Sequence, residues 1–233
     1  MIGVGRKGST SELARVSAID FFTGILLVDT LVEPLLDVTD WRTKWSGVTA
    51  KAMSEAVASG DAVKGSTAAR TELFKFMDSR TILVGHSLQF DLAALGIHHD
   101  TTVDSSVLAK SAVGKGGKQR WALKTLCKEF LKITVQDNGK NGHDAAEDAL
   151  AAREVVLWCM QHKAELKSWG EKKRRERTKK SQTKKLPAAP RISYWNVSID
   201  YDWDDSDEYK LRCLSTKELN ELCHYPEWYD NWD

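Results

Sequence analysis

Two stretches of this chain carry the same spacing: Gly85-His86-x4-Asp91 within VGHSLQFDLAAL, and Gly142-His143-x4-Asp148 within NGHDAAEDALAA. Each sets an imidazole shortly ahead of a carboxylate. An imidazole exchanges protons close to neutral pH, and carboxylate oxygens hold hard divalent cations. Together they suit a hydrolysis in which a metal polarises the bond under attack and a base takes a proton from water. The plainer reading is a helix start. An acidic residue in a first helical turn gains roughly 0.3–1 kcal/mol from the helix dipole, and the histidine beside it is then an ordinary surface residue. For either segment alone the two readings stand level; two copies in one chain favour the chemical one.

Local rules say how such residues would meet. With Asp144 as N-cap, Glu147 falls at the third helical position and completes a capping box. His143 then precedes the cap and Asp148 takes the fourth position, two places that approach one another across a helix start. By the same logic Ser87 caps the other helix, with His86 before it and Asp91 one turn in. The Asp91 helix follows the apolar run TILVG (81–85), so this carboxylate belongs near the C-terminal end of a buried strand, where ligand sites of α/β sheets concentrate.

The rest of the chain supplies the frame. Residues 13–20 and 25–32 are apolar and β-branched, and read as a hairpin with Gly24 in its turn and Pro34 closing the second strand. Helices are expected over 49–59 and 66–79, strands at 81–85 and 101–106. In WALKTLCKEFL the residues Leu123, Leu126, Cys127, Phe130 and Leu131 form one apolar helical stripe. A hairpin followed by β and α in alternation predicts an α/β domain with a mixed sheet, ending near residue 165. Residues 166–195 read as a basic linker or helical extension: eleven Lys/Arg against three Glu between Lys163 and Lys185 make that run too charged to pack. Residues 196–233 form an acidic tail rich in Trp and Tyr, with a short helix expected at STKELNELC. Four cysteines without metal-type spacing read as free thiols, no apolar run is long enough to span a membrane, and the first residues lack a secretory signal.

Taken together, these stretches resemble the DEDDh-type 3′–5′ exonucleases, and within them the Rex-like and interferon-stimulated RNA-exonuclease group. The similarity runs over roughly residues 1–165, through LVDTLVEP, DWRTKWSGVT, ILVGHSLQFDLAAL, HHDTTVDSS, ALKTLCKEFLKITVQ and GHDAAEDALAA. It implies an RNase H-like fold, a mixed sheet flanked by helices. It also implies two divalent ions, Mg²⁺ or Mn²⁺, held by four carboxylates. Asp91 and Asp148 would be the metal ligands of the second and third motifs, His143 the general base, and His86 a structural residue.

The family's first motif is Asp-x-Glu, and the similarity sets Met1 just past it. Both of its carboxylates and most of the first strand are therefore expected to be missing, leaving sheet edge and core exposed. Asp20 in SAIDFFTG is a poor substitute, because Phe22 stands where glutamate is needed; Asp29 and Asp104 read as structural. The implied function is 3′–5′ exonuclease action on single-stranded RNA, or DNA, in RNA processing or turnover, by a chain shortened at its amino end. The alternative is an inactive RNA- or protein-binding module of the same fold. Lys172, Lys173, Arg174 and Arg175 would contact phosphates or serve as a nuclear localisation signal, which places the protein in the nucleus or nucleolus, with the cytoplasm second.

Overall fold

The computed structural model describes residues 1–183 apart from 115–119, 137, 138, 140 and 141, with side chains as far as Lys179. The acidic tail and its expected helix lie outside the described residues.

The chain opens with β1 (Ile2–Val4), β2 (Thr10–Glu12), β3 (Arg15–Ile19), β4 (Leu26–Glu33) and β5 (Val38–Asp40). The expected hairpin is β3–β4, paired antiparallel from Arg15↔Leu31 to Ile19↔Leu26. Asp20 makes its turn: the carboxylate accepts the backbone N–H of Phe22 at 3.1 Å and of Thr23 at 2.7 Å, and Gly24 takes a φ of 72°. That use accounts for Asp20 without any metal. Asp29 is likewise structural, clamped by the Arg15 guanidinium at 2.8 and 2.6 Å and by the Ser17 hydroxyl.

Next come α1 (Thr43–Ser46), α2 (Ala50–Ser59), β6 (Ala62–Lys64) and α3 (Gly65–Leu73). Thr49 caps α2 by accepting Ala52 N–H, and Gly60 ends it. α3 stops at Leu73, six residues short of the expected end, and Phe74 and Phe76 beyond it are exposed. β6 adds to β4 in parallel, whereas β1 pairs antiparallel with both β2 and β5. The mixed sheet of the sequence reading is thus divided into small sheets, β2-β1-β5, β3-β4-β6 and β7-β8, the last formed by β7 (Leu83–Gly85) and β8 (Thr102–Asp104) in parallel. The start of the chain is better packed than expected. Ile2 and Val4 are fully buried against Val48 and Met53.

Helices α4 (Gln89–Leu95) and α5 (Ser105–Val113) follow β7 and β8; then come α6 (Leu123–Leu126), a π-helical turn at Cys127–Leu131, α7 (Ala145–Gln161) and α8 (Lys163–Thr183). The apolar stripe of 123–131 is borne out: Leu123, Leu126, Cys127 and Phe130 are buried together with Val155 and Cys159 of α7. Cys127 and Cys159 are free thiols, pushed by burial up to about 11 and about 12. The basic run is helical through Thr183, and its first half packs after all. Trp169 lies against Trp121 and Phe130, and Gly170 meets the Ala112 carbonyl so closely that a Cβ would sit 2.1 Å from its oxygen. Trp and Gly at the inner positions outweigh the charge of the helix as a whole. Among the described residues no helix is long and apolar enough to cross a membrane.

Candidate active site

The parallel pairing of β7 with β8 sets Asp104 opposite Gly85. From there the Asp104 carboxylate accepts the backbone N–H of Ser87 at 3.0 Å and of Leu88 at 2.8 Å, while also capping α5 through Ser106 N–H at 2.8 Å. The opening of α4 is therefore held by a residue from the neighbouring strand. Ser87 is not the cap expected of it. It turns the chain in a left-handed conformation, φ 56°, and Leu88 takes the N-cap position without a side-chain bond. Asp91 becomes the third residue of α4. His86 points inward, its Nδ1 2.8 Å from the hydroxyl of the fully buried Ser105. Burial holds the His86 imidazole below its usual titration range, against the pull of Asp104 and Asp148. His86 and Asp104 are thus engaged in bonds that hold the local structure.

The second segment is built from different parts. Asp144 is the N-cap of α7, accepting Ala146 N–H at 2.8 Å and Glu147 N–H at 3.2 Å. Its second oxygen lies 3.7 Å from Arg15 of β3, which ties the helix start to the hairpin. Ahead of it Gly142, φ 77°, presses on the α1 turn; a Cβ there would sit 1.9 Å from the Thr43 carbonyl oxygen. His143 is thereby aimed along α7. Its Nδ1 stands 3.6 Å from Asp148, and 28% and 31% of the two side chains remain exposed, so both are open to a substrate. The other Asp148 oxygen accepts Gln136 Nε2–H at 2.7 Å. Gln136, itself left-handed at φ 58°, was missed by the sequence reading, because nothing in its spacing links it to Asp148.

His143 and Asp148 meet, and Asp91 lies near enough to Asp148 for its charge to be felt. Crowding by surrounding protein raises the Asp91 carboxyl above its ordinary value; the Met1 amine lowers it, and Asp104 and Asp148 raise it further. Asp148 is raised first by burial, with Gln136 and His143 acting the other way and Glu147 and Asp144 adding to the rise. The Met1 amine is itself lowered by burial and raised by Asp91. The Asp91 and Asp148 carboxylates disfavour one another's charge. Among the described residues no cluster of three or more His, Cys, Asp or Glu gathers around one point. As hard oxygen donors, Asp91 and Asp148 are of the type that would suit a divalent ion. The remaining predicted residues lie on α8. Lys172, Arg174 and Arg175 are exposed, whereas Lys173 turns inward onto Glu129 at 2.7 Å.

No family model matches the chain. RNA exonuclease 3 of Candida albicans is 33% identical over 147 residues, 63% of this chain and 34% of that protein. The human RNA exonuclease 1 homolog is 34% identical over 67% of this chain and 12% of its own length. RNA exonuclease 4 of Debaryomyces hansenii is 40% identical over 64% of this chain and 51% of its own. The chain thus spans about a third or less of the length of the first curated relatives it matches. Among solved structures, the Saccharomyces cerevisiae Pan2 pseudoubiquitin hydrolase–RNA exonuclease module in complex with AAGGAA RNA superposes with a TM-score of 0.60 at 18% identity, over 81% of this chain and 32% of that one. The catalytic unit of Neurospora crassa Pan2 gives 0.56 at 20%, over 67% and 25%. Sequence kinship with the RNA exonucleases and a fold shared with the Pan2 exonuclease modules are consistent with a DEDDh-type, RNase H-like exonuclease.

Proposed function

We propose that this domain releases nucleotides from the 3′ end of single-stranded RNA by divalent-metal-assisted hydrolysis. The observation that supports it most is the aim of His143 at Asp148, 3.6 Å away, with Asp148 close enough to Asp91 to raise the Asp91 carboxyl. Asp91 and Asp148 would hold the ion, Mg²⁺ or Mn²⁺, which would supply Lewis-acid stabilisation of the charge that builds on the phosphate. Gln136 fixes the orientation of Asp148 by its 2.7 Å hydrogen bond. His143, with Nδ1 toward Asp148, leaves Nε2 to accept the proton of a water attacking the terminal phosphodiester. The phosphorus–O3′ bond breaks, and a nucleoside 5′-monophosphate departs. A two-ion centre needs more carboxylate oxygens than Asp91 and Asp148 bring.

A second reading, an RNA-binding module without catalysis, draws on one observation, the lack of a three-donor metal cluster among the described residues. A 5′-labelled oligonucleotide incubated with Mg²⁺ or Mn²⁺ separates the two. Stepwise 3′ shortening by the wild type, lost in His143→Ala and Asp148→Ala, is the expected result. Binding without shortening favours the second reading, and shortening that survives both substitutions contradicts the assigned residues. The same oligonucleotide made as DNA reports the sugar preference.

A further inference from the structure

A strongly basic surface lies away from the site, on a helix packed against the domain. α8 carries nine Lys/Arg against three Glu from Lys163 to Thr183. Trp169 anchors it by edge contacts to Trp121 and Phe130 at ring distances of 5.3 and 4.9 Å, and its indole N–H donates to Glu129. Lys173 binds the same Glu129, and Gly170 brings the helix onto the end of α5. At about 100° per residue, Lys172, Arg175 and Arg174 fan over the side opposite Lys173. Glu171 and Glu176 lie among them, and the cations remain in excess.

This face connects to the site through one short piece of chain. The Arg174 guanidinium stands 3.9 Å from where a Gly114 Cβ would be, at the end of α5. Arg120, six residues on, is exposed and held over the ring of Phe90, the neighbour of Asp91 in α4, at 5.6 Å. Six residues reach at most roughly 20 Å. Arg120 beside Phe90 and Arg174 beside Gly114 are therefore cations on the side of the molecule between Asp91 and the helix.

We propose that α8 is a basic arm that grips the phosphates of RNA several nucleotides upstream of the 3′ end, with Arg120 as the first cation on the way. The proposal rests on the reading that an RNA terminus enters at Asp91 and Asp148. It gives the arm a signature that a general basic tail lacks: its contribution depends on RNA length. A backbone contact of this kind is insensitive to sequence and steep in salt.

Fluorescence anisotropy with 5′-labelled oligouridylates of about 4 and about 16 nucleotides, in EDTA so that nothing is cut, tests it. In the full chain, Lys172→Ala/Arg174→Ala/Arg175→Ala is expected to weaken the long oligonucleotide about tenfold near ~0.1 M salt and to lower its salt slope by about 2, from three phosphate contacts at ~0.7 each. The short one is unchanged, and Arg120→Ala weakens both. Glu171→Gln/Glu176→Gln tightens the long one, a gain that no loss of folding produces. An unchanged long-oligonucleotide affinity and slope in the triple variant overturns the arm, as does an equal loss on the short one. Because cleavage plays no part, length-dependent binding by a chain that shortens nothing removes the nuclease reading and leaves the arm standing. Three-prime shortening with length-independent binding does the reverse.

Discussion

The two Gly-His-x4-Asp segments are alike in sequence and opposite in construction. In the segment that leads into α7, Asp144 caps its own helix and the next carboxylate falls at the fourth helical position, facing His143. In the segment that leads into α4, the cap slips by one residue to Leu88, and Asp91 falls at the third position. One residue on a helix is a rotation of about 100°. The slip therefore turns His86 away from Asp91 and onto Ser105, while the Asp104 carboxylate holds the backbone N–H groups of Ser87 and Leu88 ahead of the helix. The spacing of histidine and aspartate does not decide whether they act together. The position of the cap does.

The two glycines give the largest expected contrast. Gly142 combines a φ of 77° with a neighbouring carbonyl oxygen 1.9 Å from any Cβ, so Gly142→Ala adds backbone strain to a clash with main chain. About 3 kcal/mol or more of stability should be lost, together with activity. A Cβ at Gly85 meets only the tip of Leu88, at 2.8 Å, and its φ is ordinary. Gly85→Ala should cost under about 1.5 kcal/mol. Chemical denaturation of the two variants checks this, and equal losses would mean that Gly142 does not brace the His143 loop.

Next come the histidines. His143→Ala should lower the rate about 10²–10⁴-fold while leaving the melting temperature near that of the wild type. His86→Asn should do the opposite, losing stability first. Burial keeps His86 neutral in the fold, and unfolding frees it to take a proton. The unfolded state binds more protons, so this part of the stability is lost as pH falls through and below the free-imidazole value near ~6.5. His86→Asn should flatten that slope. A rate loss in His86→Asn without any change in melting or in its pH dependence would give His86 a chemical role.

Asp104→Ala should cost about 1–3 kcal/mol by stranding the Ser87, Leu88 and Ser106 N–H groups. Calorimetry that shows no loss would dismiss the strand-borne cap. The smallest effect is expected where Arg15 clamps Asp29: a half-exposed pair of this type contributes about 0.2–1 kcal/mol. A double-mutant cycle between Arg15 and Asp29 measures it, and coupling well above that range would make the hairpin clamp a principal stabiliser.

Much of this was legible in the residues. The hairpin turn at Asp20–Gly24, the Asp144 cap, the stripe from Leu123 to Phe130 and the pairing of His143 with Asp148 follow from local spacing, and local forces build them. What escaped the sequence depends on partners distant along the chain. Asp104 overrides Ser87 because parallel pairing of β7 and β8 delivers a carboxylate where the helix begins. Gln136 reaches Asp148 only after the chain has turned back through a left-handed residue. α8 packs because Trp169 and Gly170 meet α5 and the π-helical turn, a fit that average charge hides.

The account rests on Asp91 and Asp148 gripping the same ion. Titration of Mn²⁺ followed by water-proton relaxation, on wild type, Asp91→Asn, Asp148→Asn and His86→Asn, tests that most directly. Loss of the Mn²⁺ signal in both aspartate variants and its survival in His86→Asn is the predicted result. Wild-type Mn²⁺ affinity in either aspartate variant would contradict the shared site.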